Sequence, residues 1–244
     1  MCGRYATTRS GADLSTLFDA IDEAGDLAPD YNVAPTDPVP VVRVSSSRSG
    51  ARVVAVARWG LLPPWSRDPR AGANMINARA ETVATSRAFA TSYARRRCLI
   101  PADGWYEWLR REGSGGRAGK QAYFMTVPGG GLLAFAGLWT VWGEGPDRLL
   151  TCSIVTTPAV GDLALVHDRM PLVLPPERWT DWLAGPAGAP LLAPTPEDFV
   201  AGLEIRPVGP AVGDVRNDGP DLVARVPAPP LGAPGGESVP LTLF

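Results

Sequence analysis

Short apolar stretches separated by glycine- and proline-rich breaks run along most of the chain, and the majority read as strands. Val39–Val44 and Arg52–Trp59 are rich in β-branched residues and flank Ser45-Ser46-Ser47-Arg48-Ser49-Gly50, which predicts a β-hairpin. Gln121–Val127, Leu132–Trp142 and Leu149–Thr157 predict three more strands. The first two are joined by the turn Pro128-Gly129-Gly130-Gly131, the last two by Gly143–Asp147. Helical spacing is confined to a few places. Leu14, Leu17, Phe18 and Ile21 share one face of a helix predicted over Asp13–Ala24, and a second helix is predicted over Glu81–Arg95. Pro175-Pro176-Glu177 opens another, and in Thr195-Pro196-Glu197-Asp198 a cap residue precedes proline at the first helical position. Strands in consecutive runs argue against parallel βαβ winding. The pattern predicts one α+β domain over residues 2–226, followed by a Pro/Gly-rich tail over 227–244.

Composition narrows the class. With 244 residues, 45% hydrophobic and 20% charged, the chain is long enough for a substantial core and unlike a disordered one. No apolar run approaches the ~18 residues of a membrane span, and Met1-Cys2-Gly3-Arg4-Tyr5 does not read as a secretory signal. Cys2, Cys98 and Cys152 are too widely spaced for a disulfide framework or a metal cluster, so a reducing cytoplasm is expected. The net charge of −2 speaks weakly against a nucleic-acid partner. Its distribution is uneven, however: residues 1–120 carry 17 Lys and Arg against 12 Asp and Glu, residues 121–244 six against 13. Only Lys120 among the cations is lysine, and the arginine fork suits bidentate phosphate contacts. A local basic groove is compatible with an acidic whole.

Four residues could carry chemistry. Met1 before a small residue is expected to be removed, leaving Cys2 with both an α-amine (pKa about 8) and a thiol (about 8.5). Such a residue can condense with an aldehyde to an imine and then close a five-membered thiazolidine; an interior cysteine cannot. The plain alternative is a cysteine without a role. Asn77 and Arg79 fall on one face if Asn77-Ala78-Arg79 is extended, placing an amide beside a phosphate-binding guanidinium; the alternative is a turn before a helix. Glu107, among Trp105, Tyr106 and Trp108, is expected to be desolvated and raised in pKa, unless it is a surface residue of an edge strand. His167, the only histidine, titrates near physiological pH and precedes Arg169 by two residues, though lone histidines are often structural. Of the eight tryptophans most belong in the core; Trp65, in the proline-stiffened stretch Trp59-Gly60-Leu61-Leu62-Pro63-Pro64-Trp65, is the one assigned to stacking on nucleic acid.

Together these stretches resemble the SOS response-associated peptidase (SRAP) family. The matching blocks are Met1–Tyr5, Tyr31–Thr36, Trp59–Trp65, Asn77–Thr82, Arg97–Trp108, Ala136–Trp139 and His167–Pro171, and they occur in family order. The resemblance implies an α+β domain on an antiparallel, barrel-like β-sheet with peripheral helices and a positively charged groove. It implies a sensor of abasic sites in single-stranded DNA that shields them as a DNA–protein crosslink; a monomer is expected by default, cytoplasmic and nucleoid-associated when bound, and the chemistry requires neither cofactor nor metal. Carried over by position, Cys2 is the crosslinking nucleophile, Asn77 holds its reactive end and the sugar, Glu107 shuttles protons, and His167 assists at the opened sugar. Arg4, Arg79 and Arg169 bind phosphates, and Trp65 lies in the loop that parts the strands. One position departs from the family pattern: Ala90 stands where an arginine is usual, with Arg87 nearby. The competing readings are a thiol (auto)peptidase using Cys2, an N-terminal-nucleophile amidotransferase, and a non-covalent DNA- or protein-binding module.

Overall fold

The computed structural model describes residues 2–112, 118–229 and 231. The first strands in chain order are β1 (Tyr5–Thr7), β2 (Ile21–Asp22), β3 (Asp30–Val33), β4 (Pro38–Val44), β5 (Arg52–Trp59) and β6 (Asn77–Arg79). There follow β7 (Arg97–Ala102), β8 (Gly104–Glu112), β9 (Ala118–Thr126), β10 (Leu133–Trp142), β11 (Leu149–Pro158), β12 (Arg169–Pro171) and β13 (Glu204–Val208). The α-helices are short: α1 (Gly11–Phe18), α2 (Ala90–Arg95), α3 (Trp179–Ala184) and α4 (Glu197–Ala201).

The hairpin expected from Val39–Val44 and Arg52–Trp59 is β4–β5, paired in antiparallel register from Pro38↔Arg58 to Val44↔Arg52. It forms part of a closed barrel. β5 pairs with β4, β4 with β7, β7 with β10 and β10 with β11, all antiparallel, and a short parallel contact of β11 with β5 (Thr151↔Arg58, Cys152↔Trp59) closes the ring. Closure removes the unpaired edges at that end of the barrel, while the start of β5, which β11 does not reach, keeps an edge open to a further partner. β6 lies parallel against the end of β11, and β12 lies antiparallel beside it. A second sheet, ordered β13-β9-β8-β1-β3, is antiparallel throughout. Alternate residues of the barrel strands face two cores. Ile100, Phe135, Cys152 and Ile154 pack with Tyr5, Trp105 and Met125 of the second sheet, while Leu99, Ala136, Leu138 and Val155 pack under α1 and α3. The α+β class and the barrel-like sheet hold, in one domain.

Several boundaries differ from the sequence pattern, each for a local reason. Helix α1 is capped by Ser10 and Asp13 in a reciprocal pair and stops at Asp19, in the left-handed region at φ 49. The predicted continuation to Ala24 is broken because Ile21 and Asp22 pair instead with the free edge of β5. The helix over Glu81–Arg95 is reduced to Ala90–Arg95. Ahead of it Thr85 and Ser86 donate their backbone amides to the carbonyl of Thr82, forming turns in a run of hydroxyl residues that compete with helical bonding. Thr195 does not cap α4; its hydroxyl bonds both the amide and the carbonyl of Val173, and Pro196 takes the cap position. The strands on either side of Pro128–Gly131 do not form a hairpin: β9 joins the second sheet and β10 the barrel. Most of the tail predicted over 227–244 lies outside the described residues.

The loop between β5 and β6 is tied down along its length. Trp59 Nε1 donates to the Ile76 carbonyl (3.0 Å), and Leu61 N donates to the Met75 carbonyl (3.1 Å). Gly60 has φ +126, and a Cβ there would lie 2.5 Å from the Gly72 carbonyl oxygen. Gly60→Ala therefore combines an unfavourable backbone region with a steric clash. We expect it to lower stability by about 2 kcal/mol or more, read by denaturant unfolding; an unchanged midpoint would contradict this packing.

Candidate functional site

Strand register carries the N-terminus to the site. β1 pairs with β8 as Tyr5↔Trp105 and Ala6↔Gly104, and Tyr106 N donates to the Arg4 carbonyl at 2.9 Å. Because the strands run in opposite directions, continuing that register places Gly3 and Cys2 alongside Glu107 and Trp108. Cys2 is fully buried. Its carbonyl accepts a hydrogen bond from Asn77 Nδ2 at 2.7 Å. Asn77 is itself fixed by the parallel pairing of β6 with β11, where Ile154 N donates to the Ile76 carbonyl and Ala80 N to the Thr156 carbonyl, each at 2.9 Å. The Asn77 Oδ1 atom is buried and has no hydrogen-bond partner among the described residues. An acceptor is thus left over beside the Cys2 backbone.

Glu107 is 4% exposed, with its β8 neighbours Trp105 and Tyr106 fully buried. Burial pushes its carboxyl up to about 7, and the Asp168 carboxylate adds to the rise. The Cys2 thiol is pushed up still further, first by burial and then by the negative charge of Glu107. The ordinary thiol pKa expected from sequence does not apply: the resting group is S–H. His167 is buried between the 3-10 turn over Gly161–Leu165 and β12. Its Nδ1 lies 2.9 Å from the Arg169 backbone nitrogen and 2.9 Å from Asp168 Oδ1. One nitrogen cannot serve both at once. Unprotonated it accepts from the amide, and protonated it donates to the carboxylate, so the ring has a partner in either charge state. Cys2, Asn77, Glu107 and His167 stand far apart in the sequence; the fold brings Cys2 against Asn77 and into the field of Glu107, and Asp168, beside the His167 ring, acts in turn on the Glu107 carboxyl. Sequence reasoning did not find Asp168, whose only signal was adjacency to the histidine.

The residues expected to bind DNA are in different conditions. Arg79 is exposed, and its guanidinium makes no ion pair or hydrogen bond among the described residues; its carbonyl accepts from Thr82 N (3.1 Å). Arg169 is held by the Glu81 carboxylate through both oxygens and by the Thr156 carbonyl. The Arg169 guanidinium in turn keeps the Glu81 carboxyl below its usual range. Arg4 is half-buried; its Nη1 donates to Asn32 Oδ1 (2.8 Å) and to the Val212 carbonyl (2.9 Å), tying β1 to the C-terminal segment. Asn32 completes that tie by donating to the carbonyls of Asp214 and Asn217. Trp65 is 52% exposed, and the Arg87 guanidinium carbon lies 4.7 Å from its ring centroid. Among the described residues no group of three or more His, Cys, Asp or Glu is arranged to hold a metal ion, and no helix is long and apolar enough to cross a membrane.

Comparison with known proteins gives the family and the fold. The profile of the family "SOS response associated peptidase (SRAP)" matches residues 1–215. Abasic site processing protein YoqW of Bacillus subtilis (strain 168) is 35% identical over 233 residues, spanning 91% of this chain and 99% of the relative. Abasic site processing protein YedK of Escherichia coli (strain K12) is 33% identical over 237 residues, spanning 93% of this chain and all of the relative. A solved protein from Bacteroides thetaiotaomicron superposes with a TM-score of 0.75 at 21% identity, covering 92% of this chain and 100% of that one, and shows the same fold.

A buried carboxyl raised from 4.5 to about 7 has a definite consequence for stability. The folded state holds the proton more tightly than the unfolded state, so this group's contribution is fully present below about 4.5 and is lost as pH rises through about 7. Glu107→Gln removes that loss. We expect thermal unfolding of Glu107→Gln to exceed that of the wild-type protein by an amount that grows from pH 4.5 to pH 8, up to about 3 kcal/mol. A difference constant with pH would place the Glu107 carboxyl in a wetter setting.

Proposed function

Because the chain belongs to the SOS response associated peptidase (SRAP) family, we propose that it processes abasic sites in DNA, the activity its relatives' names carry, by covalent capture of the ring-opened sugar through Cys2. The observation that carries this reading is the placement of Cys2: fully buried, with its carbonyl bonded to Asn77 and its thiol in the field of Glu107. The preferred substrate is single-stranded DNA, because a ring-opened sugar must leave the duplex stack to reach a buried nucleophile.

Once Met1, which lies outside the described residues, has been removed, Cys2 presents a primary amine. Its nitrogen attacks the sugar aldehyde carbon to give a carbinolamine, and loss of water, with Glu107 donating a proton to the departing oxygen, leaves an imine. A carboxyl near pH 7 exists in both forms, which suits it to give and take protons in one cycle. The Cys2 sulfur then adds to the imine carbon. Loss of water leaves the nitrogen with its remaining proton, as an iminium, and Glu107 as a carboxylate; as the carbon–sulfur bond forms, the thiol proton passes to Glu107, restoring the acid, and the C=N electron pair returns to the ring nitrogen. Amine, thiol and aldehyde become a thiazolidine and one water. An imine acidifies the adjacent sugar C–H and so promotes β-elimination of the 3′ phosphate; a saturated thiazolidine carbon does not. The strand is thereby shielded from cleavage. Asn77 orients the terminus and its spare Oδ1 accepts from the amine or a sugar hydroxyl, while His167, partnered in either charge state, relays protons at the opened sugar. Holding the three groups together supplies the proximity that makes the sequence fast. Arg79 is the phosphate ligand with its donors free; Arg169 takes part by exchanging Glu81 for phosphate, and Arg4 acts chiefly by anchoring β1.

Purified protein mixed with a single-stranded oligonucleotide bearing one abasic site is expected to give an adduct that survives denaturing electrophoresis. Cys2→Ala abolishes it, and Glu107→Gln slows its formation by about 10²-fold. A Cys2→Ala protein that crosslinks like wild type, or an intact mass that retains Met1, refutes the mechanism.

A further inference from the structure

His167 and Asp168 are neighbours in sequence with opposite surroundings: the histidine side chain is 4% exposed, that of Asp168 46%. Both sit where the 3-10 turn over Gly161–Leu165 leads into β12. His167 N donates to the Leu163 carbonyl (3.1 Å), and the Asp168 carbonyl accepts from Ala159 N (2.9 Å), next to the β11–β12 pair Pro158↔Arg169. Two groups compete for one ring nitrogen. A backbone N–H can only donate, so the 2.9 Å approach of Arg169 N requires a lone pair on Nδ1 and puts the proton of the neutral ring on Nε2. A carboxylate can only accept, so the 2.9 Å approach of Asp168 Oδ1 is satisfied when Nδ1 carries a proton. The amide is thus the partner of the neutral ring and Asp168 the partner of the charged one.

Burial on its own favours an uncharged imidazole, and a carboxylate at hydrogen-bond distance favours the charged one. Around this contact, Arg169 turns its guanidinium to Glu81 and Thr156, and Asp162 on the 3-10 turn is exposed. From β8 the Glu107 carboxyl, in whose field the Cys2 thiol lies, feels the Asp168 charge. Asp168 therefore acts on both groups to which proton transfer is assigned. With His167 neutral, its negative charge favours a protonated Glu107; with His167 protonated, that charge is compensated and Glu107 ionises more readily. We propose that Asp168 is a positioning residue that couples the two, the counter-ion that lets His167 hold a proton while Glu107 has given up its own. The site then keeps one labile proton between acid and base through the cycle. The inference rests on the covalent-capture reading above and adds the residue that sets when His167 is the acid.

His167 is the only histidine in the chain, so tag-free protein gives one imidazole signal to follow by NMR across pH. The wild-type ring is expected to titrate about half a pH unit or more above that of Asp168→Asn, a modest shift because the carboxylate is half-exposed. Its neutral form is expected to carry the proton on Nε2 in a ¹⁵N correlation spectrum, and Asp168→Glu to recover most of the midpoint. The same proteins are then compared in crosslinking to a single-stranded oligonucleotide with one abasic site. Asp168→Asn is expected to match the wild-type rate well below the midpoint and to fall about threefold above it, the change in protonated fraction that half a unit gives. Thermal unfolding of each variant near the wild-type temperature excludes misfolding as the cause. Wild-type protein that forms no adduct overturns the parent reading together with this one. Wild-type protein that crosslinks, with Asp168→Asn leaving either the His167 midpoint or the alkaline rate unmoved, overturns this one alone, as does a loss of rate equal at every pH.

Discussion

Burial governs the electrostatics of Cys2 and Glu107. It keeps the Cys2 thiol protonated and brings the Glu107 carboxyl to the edge of neutrality, two shifts with one cause acting on adjacent groups. A thiol with a raised pKa is a poor free nucleophile, and a carboxyl near 7 is a competent proton acceptor. Each is useful only beside the other. The backbone makes that adjacency obligatory, because the antiparallel register of β1 on β8 and the Asn77 bond to the Cys2 carbonyl leave the terminus little choice of position.

The same electrostatics weigh against a thiol peptidase. Such an enzyme lowers the pKa of its cysteine with a cationic partner, and the charge felt most strongly by the Cys2 thiol here is the carboxylate of Glu107. A wholly non-covalent binding module would leave a buried, raised carboxyl beside a buried cysteine with no task. Burying an ionisable group is costly, and sites that keep one are frequently sites of reaction.

Much of the barrel could be read from the sequence because its strands carry their own signals: β-branched runs, alternating burial and glycine-marked turns, as in β4, β5 and the β10–β11 hairpin. The helices were less legible. At Ile21 the apolar spacing continues in a helical rhythm, yet the free edge of β5 captures the segment, and no local pattern announces a competitor so distant in sequence. The division of β9 and β10 between two sheets was hidden for the same reason, since a glycine turn specifies a reversal and not which strand follows it. In the site, Cys2, Glu107 and His167 were visible as unusual residue types in unusual company. The different states of Arg4, Arg79 and Arg169 were not, because whether an arginine is free depends on partners such as Asn32 and Glu81 that only the fold supplies.

The central claim is that one sugar carbon ends bonded to both the nitrogen and the sulfur of Cys2. Its most direct test is carbon NMR of the adduct formed with an oligonucleotide labelled with ¹³C at C1′ of the abasic sugar. The account predicts a saturated carbon resonance of an N,S-substituted centre, unchanged by borohydride. An unsaturated imine carbon that borohydride reduces, or a label that stays in the free sugar, would contradict it.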